Sequence, residues 1–186
     1  MGKILLSLLA GLLFIGSSPA EEIDVDLVDA FSQPLGYTVR KSPVLYVHLS
    51  RDTSLPLWFI LIDKREVSPI AEILLDSPTR AGFLSIRLKE HRIELEEEVR
   101  YYWFVTVAHD GEKQFDDIID QGLIERLNPF LVDHYGRPCS KDEARYLSKA
   151  GIWYDAFACA NELIKANPQD LSLHELREEL LAQRKR

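Results

Sequence analysis

The ten residues 99–108, Val-Arg-Tyr-Tyr-Trp-Phe-Val-Thr-Val-Ala, are rich in aromatic and β-branched side chains. The apolar residues of one parity are Val99, Tyr101, Trp103, Val105 and Val107, and the other parity includes Arg100, Tyr102 and Thr106. Successive side chains of a β-strand point to opposite faces, so this alternation is typical of a strand packed on one side. We therefore predict a strand whose odd-numbered residues face a core.

The start of this strand carries a second pattern. Leu95 lies six residues before Tyr101, and Tyr101 opens the strand after an exposed turn. This spacing resembles the tyrosine corner of immunoglobulin-like and fibronectin-type sandwiches, in which the Tyr hydroxyl bonds back to the chain at the corner between strands. Trp58, early in another apolar run, would then be the core tryptophan of the sandwich.

Further strand-like runs surround this one. They cover residues 43–49, 57–62, 70–75, 83–88 and 118–127, and turn-forming residues separate them at 52–54, 63–65, 76–78 and 110–111. Six or seven short strands with no helical pattern between them favour an antiparallel arrangement. We predict an immunoglobulin-like antiparallel β-sandwich over residues 37–128.

The period becomes helical after a linker at 129–138. Ser140 with Glu143 forms a capping box, and apolar residues recur at helical spacing over 153–166 and 171–183. The segment 150–156, followed by Asn167-Pro168, resembles the middle of one tetratricopeptide unit. A single unit cannot form the peptide groove of a repeat array, so its apolar face must pack on the sandwich or, alternatively, on a partner protein. We predict a helical appendage with a basic tail over 139–186.

The first twenty residues have the pattern of a secretory signal peptide. Lys3 precedes an apolar run over 4–15, and small residues end at Ala20. We predict that the signal peptide is cleaved after Ala20 and that the protein is exported to the periplasm or the medium. Residues 21–36 would then form a lead-in segment. The alternative is that the apolar run stays uncleaved as an anchor. No later stretch approaches membrane length, so we expect no stable membrane insertion after cleavage.

The net charge of the chain excludes one class of partner, and its two cysteines raise the question of a disulfide. The chain has 22 Lys and Arg against 30 Asp and Glu, a formal net charge of −8, which repels nucleic acid. In an oxidising compartment Cys139 and Cys159 are candidates for a disulfide, with two free thiols as the alternative.

One acidic segment is a candidate metal site. Oxygen ligands for a hard cation could come from the turn at 109–120, whose candidate residues are His109, Asp110, Asp116, Asp117 and Asp120. The segment lacks the alternating Asp positions and closing Glu of a calcium loop. A solvated loop that protects a sheet edge is therefore the favoured interpretation, and a metal-dependent binder or envelope hydrolase is the alternative.

The helical part holds a candidate binding group. Trp153, Tyr154 and Asp155 open the second predicted helix, where they could contact a partner or pack the helix on the sandwich. The chain has no His-Glu-x-x-His, no Gly-x-Ser-x-Gly and no glycine-rich loop after a strand. We therefore expect no cofactor and no catalytic activity.

Four segments in this order resemble a bacterial envelope family, domain of unknown function 928. They are residues 38–47, 100–104, 122–126 and 151–156, the last reading Gly-Ile-Trp-Tyr-Asp-Ala. The resemblance implies an exported protein with a sandwich followed by helices, and it implies no activity. We expect a non-catalytic binding or scaffolding module whose partner is another envelope protein, or alternatively a structural subunit of an envelope assembly.

Overall fold

The computed structural model describes residues 35–66, 68–75, 79–109, 112–133 and 136–184. The predicted signal peptide at 1–20 and most of the predicted lead-in at 21–36 lie outside these residues. Among the described helices, none combines the length and the apolar character needed to cross a membrane.

The described chain forms strands first and helices last. The seven strands are β1 (Leu35–Thr38), β2 (Val44–Leu49), β3 (Leu57–Asp63), β4 (Pro69–Leu75), β5 (Gly82–Arg87), β6 (Arg100–His109) and β7 (Glu112–Arg126). The three helices are α1 (Lys141–Lys149), α2 (Trp153–Ala166) and α3 (Leu171–Arg184). The Ser140 hydroxyl accepts a hydrogen bond from the Glu143 amide at 3.1 Å, which explains why α1 begins where it does.

The strands form two sheets. A five-stranded sheet has the order β1-β7-β6-β3-β4, and a two-stranded sheet pairs β2 with β5. Strand β1 runs parallel to β7, and the other pairs are antiparallel. The prediction of a mainly β chain followed by helices is thus confirmed.

The core lies between the two sheets. Register places Phe59 of β3 opposite Val105 of β6, and Leu61 opposite Trp103, so their inward side chains form one apolar layer. The two-stranded sheet contributes Leu45, Val47 and Ile86 to the same cluster. Burial of these aliphatic and aromatic surfaces is the main driving force for packing one sheet on the other.

The position of Trp58 corrects one expectation. Trp58 pairs with Thr106, so it lies on the outer face of the five-stranded sheet, where it is half-buried. Phe59 occupies the inward position, and the tryptophan of the core is Trp103, which is fully buried. The apolar run at 57–62 has hydrophobic residues at both parities, so its inward face could not be read from local alternation.

Helix α2 completes the core. It contacts β1, at the edge of the five-stranded sheet, and β2, in the two-stranded sheet. Tyr154, Phe157 and Ala160 of this helix belong to the same buried cluster as the strands. The helix therefore packs against the strands of this chain, which is the packing predicted for the single tetratricopeptide-like unit.

Candidate functional site

The predicted binding group at the start of α2 lies inside a junction between helix and sheet. The Trp103 indole N–H donates a hydrogen bond to the Tyr154 hydroxyl at 2.8 Å, and that hydroxyl donates to the Leu123 carbonyl at 3.2 Å. Polar groups that are removed from water need partners, and this chain of bonds supplies them across α2, β6 and β7.

Two glycines make room for the aromatic rings at this junction. A Cβ at Gly36 would lie 2.6 Å from the Tyr154 ring, and a Cβ at Gly122 would lie 2.7 Å from the Trp103 ring. Real side chains do not approach so closely, so any larger residue at either position would displace a buried ring. The glycines in β1 and β7 are therefore part of the junction.

Asp155 fixes the helix to the first strand. Its carboxylate accepts hydrogen bonds from the Thr38 hydroxyl at 2.7 Å and the Val39 amide at 2.9 Å. Arg40 Nε lies 3.8 Å from the same carboxylate. Burial raises the pKa of Asp155 above its usual value, although these hydrogen bonds and the Arg40 charge oppose the shift.

Trp153 connects α2 to α3. Its indole N–H donates to the Leu180 carbonyl at 2.9 Å, and its ring stacks on Phe157 with centroids 4.8 Å apart. Trp153, Tyr154 and Asp155 are only 9%, 3% and 2% exposed. Their buried side chains join the helices to the sheet, which is the packing role named as one of two possibilities from the sequence, and a role in binding stays a prediction.

A shallow groove of about 170 Å³ opens beside this junction. It is lined by Leu35, Gly36, Ser148, Gly151, Trp153, Tyr154 and Gln183. The Ser148 hydroxyl is hydrogen-bonded to the Gln183 side chain at its rim. Among the described residues, the lining of the groove includes no carboxylate, histidine or cysteine.

The predicted acidic turn is largely a strand. Strand β7 begins at Glu112, so Asp116, Asp117 and Asp120 lie along its extended backbone, and His109 ends β6. Asp110 lies outside the described residues, and only the backbone of His109, Asp116 and Asp117 is described. A loop that binds a hard cation wraps around it, whereas this backbone is extended.

Asp120 is the candidate ligand whose side chain is described. Its carboxylate accepts hydrogen bonds from the backbone amides of His48 at 3.4 Å and Gln121 at 2.8 Å. No group of three His, Cys, Asp or Glu side chains that could hold a metal ion occurs in the described part of the chain. Because the side chains of the other four candidates lie outside the described residues, the metal site stays a prediction.

The two cysteines are joined in a disulfide. Cys139 lies before α1 and Cys159 lies in the middle of α2, with their Cα atoms 5.5 Å apart. The bond therefore links the entry of the helical part to the helix that packs on both sheets.

The edge strand β4 of the five-stranded sheet exposes apolar side chains that the sequence did not identify. Ile70 and Leu74 of β4 are 48% and 56% exposed, and exposed Leu55 precedes the neighbouring strand. The run at 70–75 was predicted as a strand, but its place at the end of the sheet depends on pairing with distant residues. Its alternation alone could have indicated two apolar faces, because Ile70 and Leu74 share the parity opposite to Ala71, Ile73 and Leu75.

Comparison with known proteins gives a family and no activity. No curated protein matches the chain. The family model described as Domain of Unknown Function (DUF928) matches residues 18–185, which is most of the sequence. The match covers all of the described strands and helices, and this chain therefore belongs to the DUF928 family.

Proposed function

We propose that this chain is an exported, non-catalytic binding or scaffolding protein that holds another envelope protein along strand β4. The observation that carries the proposal is the exposed apolar pair Ile70 and Leu74 on an edge strand. Large exposed aliphatic side chains on a sheet edge are costly to keep in water and are used for association with other chains.

The backbone of β4 is suited to strand addition. Within the described part of the chain, β4 pairs with β3 alone, so its other edge has backbone groups directed away from the sheet. A partner strand would bond to these groups, and its side chains would contact Ile70 and Leu74. The fitting partner segment is extended and apolar at alternate positions.

Charge adds a second criterion for the partner. The chain has a net charge of −8, and Glu72 lies between the two exposed aliphatic residues. Basic residues in the partner segment would complement the net negative charge of this chain and speed the approach of the segment. We therefore propose an extended segment that is apolar on the face it shares with Ile70 and Leu74 and that has a net positive charge.

We also propose that the β part is an immunoglobulin-like sandwich. Two features support the proposal: the edge strand β1 runs parallel to the last strand β7, and β6 lies between β7 and β3. The Glu96 amide donates to the Tyr101 hydroxyl at 3.0 Å, the bond expected of a tyrosine corner. A sandwich of this kind positions its edges and loops for binding rather than enclosing a reaction centre.

The test compares an edge variant with a matched surface variant. Ile70→Lys with Leu74→Lys places charges on the proposed surface, while Leu171→Lys alters another exposed leucine, on α3. Tagged protein is crosslinked in its own envelope fraction, the captured protein is identified by mass spectrometry, and its crosslinked segment is titrated as a peptide. We expect the edge variant to lose both the crosslink and the peptide binding, and the Leu171 variant to retain both.

Two results would contradict this proposal. One is an edge variant that folds normally and still binds the same segment as the wild type. The other is substrate turnover by the purified protein that a single carboxylate or His substitution abolishes, which would favour the alternative of an envelope hydrolase.

A further inference from the structure

Strand β4 carries one charged side chain between its exposed aliphatic residues. Ile70, Glu72 and Leu74 have the same parity, so they point to the same face of the sheet, and all three are exposed. The register partner of Glu72 on the neighbouring strand β3 is the apolar Ile60. A carboxylate therefore lies in the middle of the surface that a strand added to β4 would contact.

A second copy of the chain is the simplest strand that could add to β4. Two identical strands pair antiparallel about a two-fold axis, and the outer faces of both sheets then lie on the same side. Because β4 covers Pro69–Leu75, the register that pairs all seven residues is centred on residue 72. This register sets Ile70 opposite Leu74 of the second copy, and Glu72 opposite Glu72 of the second copy.

The full-length register thus combines an apolar match with a charge conflict. Directly opposite residues on neighbouring strands have Cβ atoms about 5 Å apart, and like charges in this position destabilise the pair. The smallest shift that keeps the faces aligned is two residues, and it sets Glu72 opposite Ile70 or Leu74. The carboxylate would then lose water to an aliphatic side chain, so each of these registers is unfavourable for two copies.

A strand of another protein avoids the conflict when a Lys or Arg lies opposite Glu72. Opposite charges on directly facing residues stabilise a strand pair. Apolar residues two positions to either side of the basic residue would face Ile70 and Leu74. The net charge of −8 adds an attraction for a basic segment at longer range. The matching segment has the pattern apolar-x-basic-x-apolar, with the basic residue as the one exception on an apolar face.

On the basis of the proposed function of β4, we propose that Glu72 determines which strands this edge accepts. It selects a segment with a basic residue at the central position, and it excludes a second copy of this chain. Charges on edge strands prevent unwanted pairing between sheets, and juxtaposed like charges suppress wrong partners. Glu72 is thus the specificity-determining residue of the edge, whereas Ile70 and Leu74 supply its apolar contact.

Exchange of the charge at residue 72 tests the proposal with the protein as its own partner. Glu72→Lys is mixed with an equal amount of wild type, and sedimentation velocity measures association of each protein alone and of the mixture over a range of concentrations. We expect a heterodimer in the mixture, because only there does a carboxylate face an ammonium group. Its dissociation constant should be lower than that of either homodimer by about tenfold or more.

A neutral variant tests the charge without the exchange. Glu72→Gln keeps the shape of the side chain and removes the repulsion between two copies. We expect this variant alone to self-associate more tightly than the wild type, by about fivefold, because one opposed pair of like charges is removed. Self-association equal to that of the wild type would contradict the exclusion of a second copy by charge.

Two controls show whether the association uses this edge. Glu178→Lys makes the same change of charge at a 66% exposed position on α3, and we expect no heterodimer with the wild type. Ile70→Ser with Leu74→Ser, added to the Glu72→Lys chain, should abolish the heterodimer. A Glu72→Lys mixture that stays monomeric, or a Glu178→Lys mixture that associates equally, would overturn the proposal.

Crosslinking in the envelope fraction separates this proposal from the proposed function. A partner that is lost with the Ile70 and Leu74 edge variant but retained by Glu72→Lys would leave the function of β4 intact and refute the role of Glu72. A heterodimer in the mixture, together with no envelope partner at β4, would support the role of Glu72 in strand selection and contradict the proposed function.

Discussion

At the scale of single residues, Tyr101 ties the loop before β6 to the start of that strand. Its ring is buried in the core, and its hydroxyl accepts the hydrogen bond from the Glu96 amide. Burial raises the pKa of Tyr101 above its usual value, although the hydrogen bond from the Glu96 amide opposes the shift. The bond closes a turn of only five residues and thereby fixes where β6 begins.

Tyr101→Phe should remove this bond while keeping the ring. We expect the free energy of unfolding to fall by about 1–2 kcal/mol, because the Glu96 amide loses its acceptor. Urea unfolding measures the change. Tyr37→Phe, at a half-buried ring of β1, is the control and should have a smaller effect. Equal losses in the two variants would contradict the tyrosine-corner assignment.

Opposing effects act on the pKa of the Asp155 carboxyl group. Burial raises its pKa, so the folded chain holds this proton more tightly than the unfolded chain does. Its contribution to stability is therefore complete below the unfolded pKa and is lost as the pH rises through the folded pKa. Arg40, which also lies 4.0 Å from Glu162, faces the same group.

Comparison with Asp155→Asn should reveal this titration. Relative to the variant, the wild type should gain stability as the pH falls from 7 toward 4, by at most about 1.4 kcal/mol for each pH unit. Urea unfolding of both proteins across this range measures the difference. A difference that stays constant or has the opposite slope would show that burial does not raise the pKa of Asp155.

At the scale of elements, α2 is the unit that connects the helices to both sheets. Tyr154 and Asp155 at its start bond to β6, β7 and β1, and Phe157 one turn later contacts Tyr46 of β2. The Cys139–Cys159 disulfide holds the middle of this helix to the segment before α1. Helix α2 is thus bonded to the strands at its start and to the segment before α1 at its middle.

Removing the disulfide should weaken this unit. The bond closes a separation of 20 residues, and loop closure of that size contributes about 3 kcal/mol in the chain-entropy model. We expect Cys139→Ala with Cys159→Ala to unfold at lower urea concentration, and reduction of the wild type to have a similar effect. A reduced wild type as stable as the oxidised protein would contradict this prediction.

At the scale of the whole molecule, the sandwich and the appendage predicted as separate regions share one core. Trp153, Phe157 and Leu180 of the helices are in the same buried cluster as Phe59 and Trp103 of the strands. Separating the two parts would expose aromatic surface on each, and such exposure is strongly unfavourable. The helical part therefore supplies core packing to the sheets as well as its own fold.

This shared core predicts one cooperative unfolding transition. Far-ultraviolet circular dichroism reports mainly on the helices, and tryptophan fluorescence reports mainly on the sheets, because Trp58 and Trp103 lie on strands and Trp153 lies on a helix. We expect their thermal midpoints to coincide and the calorimetric enthalpy to equal the van't Hoff enthalpy. A helical transition at lower temperature than the loss of the sheet core would show two independent units instead.

Features that depend on near neighbours could be predicted from the sequence. Alternation over 99–108 predicted the inward face of β6, and Ser140 predicted the start of α1, because strand parity and helix caps involve residues at most a few positions apart. The four segments that resemble the DUF928 family likewise predicted the family that the match over 18–185 establishes.

Features that depend on distant partners follow from the tertiary structure and could not be predicted from local sequence. The outward position of Trp58 follows from its pairing with Thr106, and the exposure of β4 follows from its place at the end of the sheet. The Thr38–Asp155 bond joins residues 117 positions apart, and no local pattern predicts it. Contacts over such separations form only when the whole chain has folded, because packing of complete elements, rather than local preference, selects them.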